Sequence, residues 1–220
     1  MPCSSIFEKI ARFWWIGLLP VLALLAPHAH SDTQSPPDKT LTTPALVPKD
    51  HHPKMQSELF PGGKVKSETE VDAFGLPDGL KREYRPAGDL KSERTYRHGT
   101  LHGPSRLYYP GGILKTEWHY RNGKRHGLSI GYYKDGTIKD KGLYQDDLLE
   151  GRVILYFPSG KIKAEMNFHN DLLDGASKTY YEGAGIKNLL RYKDGRLLTM
   201  ETYDREGDLL REQEFPRARR

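Results

Sequence analysis

Cysteine is nearly missing from this chain. Its single copy, Cys3, stands ahead of an apolar run close to the N-terminus. That excludes a disulfide scaffold, a thiolate zinc site and a cysteine nucleophile. No Cys follows the apolar run, so a lipoprotein anchor of the usual kind is excluded as well. Apolar residues are scarce too, at 36% against 29% charged, too few for a thick globular core. Charge of one sign is also lacking: 34 Lys and Arg against 29 Asp and Glu leave only +5, with both signs interspersed. So mild an excess argues against a nucleic-acid partner. The longest apolar run, Phe13 to Ala26, has 14 residues. A bilayer span needs about 20.

That run follows Lys9 and Arg12 and precedes Ala29-His30-Ser31, the order of a secretory signal with cleavage before Asp32. Residues 1–31 are therefore expected to be a signal peptide. The expected destination is the periplasm or cell surface of a bacterium, with an uncleaved N-terminal anchor as the lesser reading. Residues 32–55 carry five prolines and no apolar periodicity, which predicts a disordered linker. His51-His52 in that stretch, with His28 and His30 before it, read as polar filler rather than as metal ligands.

What the chain has in abundance is glycine and tyrosine, 22 and 13 copies, set at a fixed interval. Gly79, Gly103, Gly127, Gly151 and Gly175 are 24 residues apart. Tyr84, Tyr108, Tyr132, Tyr156 and Tyr180 stand five residues after each. Leu90, Leu114, Ile138, Ile162 and Ile186 take the eleventh place, and Tyr96, Tyr120, Tyr144, Phe168 and Tyr192 the seventeenth. A period in the twenties means a stack of supersecondary units. Within a unit, Tyr132-Tyr133-Lys134-Asp135-Gly136-Thr137-Ile138 reads as a hairpin, with Tyr133 opposite Thr137 and Tyr132 opposite Ile138. A second turn falls at Arg97-His98-Gly99, Arg121-Asn122-Gly123 and Lys193-Asp194-Gly195, with Asp147 and Asp171 in place of Gly elsewhere. The expected fold is all-β: an elongated, twisted single-layer antiparallel meander of repeated hairpins. It should fill residues 56–215, with a degenerate capping unit at 56–79 and a basic tail at 216–220.

Period-2 alternation sorts two faces. Leu114, Thr116, Trp118 and Tyr120 share one, where the fifth-place Tyr108, Tyr132 and Tyr156 are expected to join them. Lys115 and Glu117, or Lys163 and Glu165, share the other. Tyr109, Tyr133, Phe157 and Tyr181, in the sixth place, are expected to form an aromatic stripe on that polar side. With no helical stretch after residue 31 to cover the apolar face, the sheet should curl, pair with a second copy or hold a partner.

The unit G-x(4)-[YF]-[YF]-x-x-G-x-[LI]-K-x-E-x-x-Y-x-x-G-x-x-x-G resembles the bacterial MORN-repeat variant found in the YwqK-like antitoxin family, over about residues 56–215. The resemblance implies a non-enzymatic interaction module built as a single-layer sheet of hairpins. Eukaryotic MORN repeats are associated with membranes, phospholipids and scaffolding, an analogy at the level of fold. The departures are Ala184 at a turn glycine, Lys141 and Leu189 at the Glu position, and the two Asp turns; they bear on local turn geometry.

Catalytic constellations are not evident. Glu68, Glu93, Glu117 and Glu165 recur once per unit and suit a cross-strand charge ladder better than an acid–base pair. His102 and His126 precede unit glycines, and His98, His119 and His169 fall in or near turns. Gly183-Ala184-Gly185 lacks the strand-to-helix setting of a nucleotide loop. No catalytic or metal-binding residue and no cofactor is therefore expected. The reading is an exported protein–protein interaction module, antitoxin- or immunity-like in one form. Tyr109, Tyr133, Phe157 and Tyr181 are its expected partner-binding residues, since tyrosine is favoured at hot spots. The alternative is an envelope-attachment or scaffold module that binds lipid headgroups or cell-wall glycan. A homo-oligomer is a further expectation.

Overall fold

The computed structural model describes residues 54–216, so the signal, nearly all of the linker and all but one residue of the basic tail lie outside the described residues. The described chain is all-β and contains no helix. Its strands are β1 (Lys54–Leu59), β2 (Val65–Val71), β3 (Pro77–Tyr84), β4 (Leu90–Arg97), β5 (Thr100–Tyr108), β6 (Leu114–Arg121), β7 (Lys124–Arg125) and β8 (Gly127–Tyr132). There follow β9 (Ile138–Gln145), β10 (Leu148–Tyr156), β11 (Ile162–His169), β12 (Leu172–Leu173), β13 (Gly175–Tyr180), β14 (Ile186–Lys193), β15 (Arg196–Tyr203) and β16 (Leu209–Glu214). All belong to one open sheet in which each strand pairs antiparallel with its sequence neighbour, β7 and β12 being short leading segments of β8 and β13. The first strand opens at Lys54, within the stretch read as linker.

Two turns alternate along the sheet. The first closes with paired bonds such as Tyr133 N to Thr137 O (2.8 Å) and Gly136 N to Tyr133 O (3.1 Å), with Gly136 left-handed at φ 87°. The second has two central residues at positive φ, for example Asn122 (50°) and Gly123 (81°), as a type I′ hairpin requires. Asp147 and Asp171 adopt the same conformation, at 76° and 66°. In the unit carrying Ala184, Gly183 takes the left-handed position one residue earlier, at φ 82°. In the capping unit the second turn spans Asp72 to Leu76, one residue longer than elsewhere, which accounts for the first unit's slip against the period.

A third feature is absent from the sequence reading. Around each unit glycine the strand carries two extra residues: Tyr120 pairs with Arg125 but Thr116 with Gly131. Gly127 takes φ 107° in that bulge. Thr199 follows the period where a sixth glycine would fall, and there only one extra residue is inserted.

One face of the sheet is buried. Its central part is an apolar cluster of Tyr144, Leu149, Val153, Leu155, Ala164, Met166, Phe168 and Leu173, with Leu149 and Val153 at 0% exposure. Toward the N-terminus the same face is floored by Ser67, Thr69, Ser92, Ser105 and Thr116.

Candidate binding surface

The opposite face is built as one continuous cross-strand row. Pairing in turn joins Glu68, Arg82, Glu93, Arg106, Glu117, Ile130, Lys141, Ile154, Glu165, Lys178 and Leu189 across the sheet. Its N-terminal part alternates in sign and is ion-paired: Arg82 to Glu93 at 3.2 Å, Arg106 to Glu117 at 2.9 Å. The row is a charge ladder, as expected, but the cations ion-paired to its glutamates are Arg82, Arg106 and Arg152 rather than the expected lysines, two of which lie over aromatic rings. Its carboxylates are engaged by guanidinium groups and phenols rather than set apart for proton transfer.

The fifth-place tyrosines belong to this charged face, not to the buried one as alternation across the hairpin suggested. Tyr84 donates to Glu68 (2.8 Å), Tyr108 to Glu93 (2.7 Å) and Tyr180 to Glu165 (3.2 Å). The reason is a bulge: Tyr108 pairs with Leu114 but Leu107 with Thr116, so Lys115 is extra and the faces cannot be carried across the hairpin unchanged. Along the first strand itself, Arg106 and Tyr108 do share a side. Burial and the Glu93 hydrogen bond push the Tyr108 phenol up to about 12. Burial opposes the charge on Glu93, yet Tyr108, Arg82 and Arg106 together hold its carboxyl below the usual range.

The charge alternation breaks in the unit that begins at Gly127. Ile130 and, from the next unit, Ile154 flank Lys141 there, and Leu128 pairs with Leu143 in the neighbouring row, both 46% exposed. This apolar patch is bordered by Arg106 and Glu117 on one side and by Arg152 and Glu165, which are ion-paired, on the other. An apolar centre within a polar rim has the composition of a protein interface.

The sixth-place residues are half-buried clasps between units. Tyr109 donates its hydroxyl to the Tyr132 carbonyl (3.0 Å), Tyr133 to Tyr156 (2.7 Å) and Tyr181 to Tyr203 (2.9 Å). Phe157 holds the same place without a hydroxyl. Lysines lie over three of these rings: Lys115 on Tyr109 (5.6 Å), Lys163 on Phe157 (5.8 Å) and Lys187 on Tyr181 (5.6 Å). One unit earlier Arg85 does this work, its guanidinium donating to the Tyr108 and Tyr109 carbonyls. The three hydroxyls and three of the four ring faces are thus already engaged inside the stack.

Histidines gather at the turn edge. His169 Nδ1 lies 3.0 Å from Glu150, whose hydrogen bond and charge raise the imidazole pKa. The ligand atoms of Asp72, Asp78 and His98 lie within 4.8 Å of one another, the one arrangement among the described residues spaced to hold a cation. Its acids have structural work of their own. Asp72 accepts from Phe74 N and Leu76 N, and Asp78 from His98 N, as Glu150 does from Asn170 N and Asp174 from Asp194 N in later units. Among the described residues this edge is a repeated turn cap.

Arg125 is a residue that the sequence reading passed over. It occupies the place of Leu149 and Leu173 in later units. Its guanidinium sits 4.2 Å from the centre of the Tyr144 ring and bonds Asp147 Oδ1 at 3.1 Å. Its signal was available: a charged residue 24 places before a leucine that recurs.

The repeated hairpin sheet thus presents one buried and one open face along its length. Residues 101–122, 125–146 and 149–170 match the MORN repeat variant, so the chain carries three tandem copies of that repeat. They start 24 residues apart, in step with the structural unit. Compared as a whole, the chain matches no curated protein.

Proposed function

We propose that this chain is an exported, non-enzymatic module that holds a protein partner on its charged face, centred on Leu128, Ile130, Leu143 and Ile154. The observation that carries the reading is the apolar interruption that follows a stretch, Glu68 to Glu117, alternating in charge. Desolvating such a centre favours association, while the Arg and Glu rim sets orientation and excludes other partners. Tandem MORN repeats support a repeat-based binding module, and the broad, open surface suits a macromolecule better than a small ligand. Export rests on the order of charge, apolar run and small residues in 1–31. An antitoxin- or immunity-like role is the form this takes if the partner is itself toxic. The alternating signs disfavour a headgroup-binding surface, which would present one sign of charge.

The test is co-purification of the tagged chain from its host's envelope fraction, beside Leu128→Asp and Leu143→Asp. One stoichiometric protein, lost in both variants while their thermal midpoints stay near the parent's, is the expected result. A partner that survives these changes and is lost with Tyr133→Ala at unchanged stability would move the site to the sixth-place aromatics. Recovery of lipid or cell-wall fragments alone, fading at high salt, would turn the reading to envelope attachment.

A further inference from the structure

The sheet has two open ends, and they match each other. Among the described residues, β1 and β16 each pair on one side only. Every residue of β1 is exposed and β16 is exposed at all but Gln213. An open strand edge with large apolar side chains is a template for another strand. Met55 and Leu59 stand on one edge, and Leu209 and Leu210, the last at 64% exposure, on the other.

Direction and register both permit the joint. Fourteen strands form the antiparallel path, so β1 and β16 run oppositely. A second copy placed beyond β16 would therefore continue the meander with its own β1. Inside the sheet, neighbouring units meet with Thr116 opposite Gly131 and Glu117 opposite Ile130. Counting from the same turns, Arg211 and Glu212 correspond to Thr116 and Glu117, and Glu58 and Ser57 to Gly131 and Ile130. The joint then sets Leu210 opposite Leu59, Arg211 opposite Glu58, Glu212 opposite Ser57 and Gln213 opposite Gln56. No like charges face each other, and the apolar residues meet. Arg211 has no ion-pair partner among the described residues, while exposed Glu58 holds Lys66 at 3.0 Å and keeps lone pairs for a second cation.

We propose that the chain associates head to tail with copies of itself, β16 of one pairing with β1 of the next in this register. Such a contact is heterologous and does not close, so it builds open chains. It is independent of what docks on the charged face.

Sedimentation of the full chain over a range of concentrations tests it. The expected result is growth in steps of one protomer mass. Arg211→Glu should weaken association roughly tenfold or more, because two carboxylates then face each other. Glu58→Arg alone should do the same, and both variants should melt near the parent, since each changes an exposed side chain. In a mixture of the two single variants both mixed joints pair opposite charges, the swapped pair at one and the parental Arg211 and Glu58 at the other, so open growth should resume with the two variants alternating. A parent that stays monomeric, a closed dimer, or association indifferent to Arg211→Glu would overturn the proposal.

Discussion

The N-terminal units and the central units share one backbone plan and are filled by opposite chemistry. In β9 to β13 the buried face is Tyr144, Leu149, Val153, Leu155, Met166 and Phe168. In β2 to β5 the corresponding face is mainly Ser67, Thr69, Ser92 and Ser105, with Val71 as its buried apolar residue, and is roofed by charged side chains: Glu83 accepts from Ser92 Oγ (3.0 Å) and pairs with Arg94 (3.3 Å). The hairpin ladder and its left-handed turns therefore set the shape, and the shape tolerates either filling. The filling sets where the stability resides, because apolar burial contributes about 25 cal/mol per Å², whereas solvent-facing ion pairs contribute about 1 kcal/mol or less. The matched MORN repeats coincide with the apolar stretch and its approach, residues 101–170.

The widest gap between the two regions should appear on truncation. Leu149→Ala removes a fully buried side chain from the apolar cluster and should cost about 2–5 kcal/mol. Ser92→Ala, equally buried, gives up one hydroxyl bond to a partly exposed carboxylate and should cost about 1 kcal/mol. Paired denaturant titrations compare them. Similar losses would mean that the polar floor contributes as much as the apolar one.

A second difference lies where the two fillings meet. Asp140 is 2% exposed on the buried face, at the place of Thr116 and Ala164 in adjoining units. Gly131 opposite makes room for it: a Cβ there would come within 2.6 Å of the carboxylate. Burial pushes the Asp140 carboxyl up to about 6, only partly offset by Lys139. A carboxyl whose folded pKa is raised binds its proton more tightly in the folded state, so stability should rise as pH falls from 7 through about 6 toward 4. Below that, carboxylates held low by partners, such as Glu93 and Glu83, protonate and stability falls again. Asp140→Asn should add about 2–3 kcal/mol at neutral pH and flatten the rise between pH 7 and 5, followed by thermal melts across pH. An unchanged slope would show that Asp140 titrates normally.

The plan was legible and the filling only in part. Glycine spacing, the Asp-Gly turns and the tolerance of Asp147 for a left-handed backbone are local chemistry, which repeats in the sequence as it does in space. The charged row could be read from Glu93 and Glu117 for the same reason. Tyr108 was placed on the wrong face because a bulge is an extra residue in one strand, and its effect on the neighbouring strand has no local signature. The apolar break at Leu128 and Leu143 was hidden differently. It departs from the repeat in two residues 15 apart that become neighbours only through register.

The clasps between units offer the finest form of the comparison, because the sequence has already made one of the variants. Tyr133 and Phe157 hold the same place in successive units. Only the first has a hydroxyl, donated to the Tyr156 carbonyl at 2.7 Å. Tyr133→Phe should cost about 1 kcal/mol, the ordinary net value of one half-buried hydrogen bond. Phe157→Tyr places a hydroxyl where its neighbours meet the next unit's backbone and should gain up to about 1 kcal/mol. Because the two sites lie in adjoining units of one stack, their difference reports the clasp rather than the ring, and Lys163 over the Phe157 face is untouched by the change. Chemical denaturation of both single variants and the double variant reads it. If Phe157→Tyr gains nothing while Tyr133→Phe loses its share, the clasp is specific to its unit, and the stack is held at Phe157 by ring packing alone.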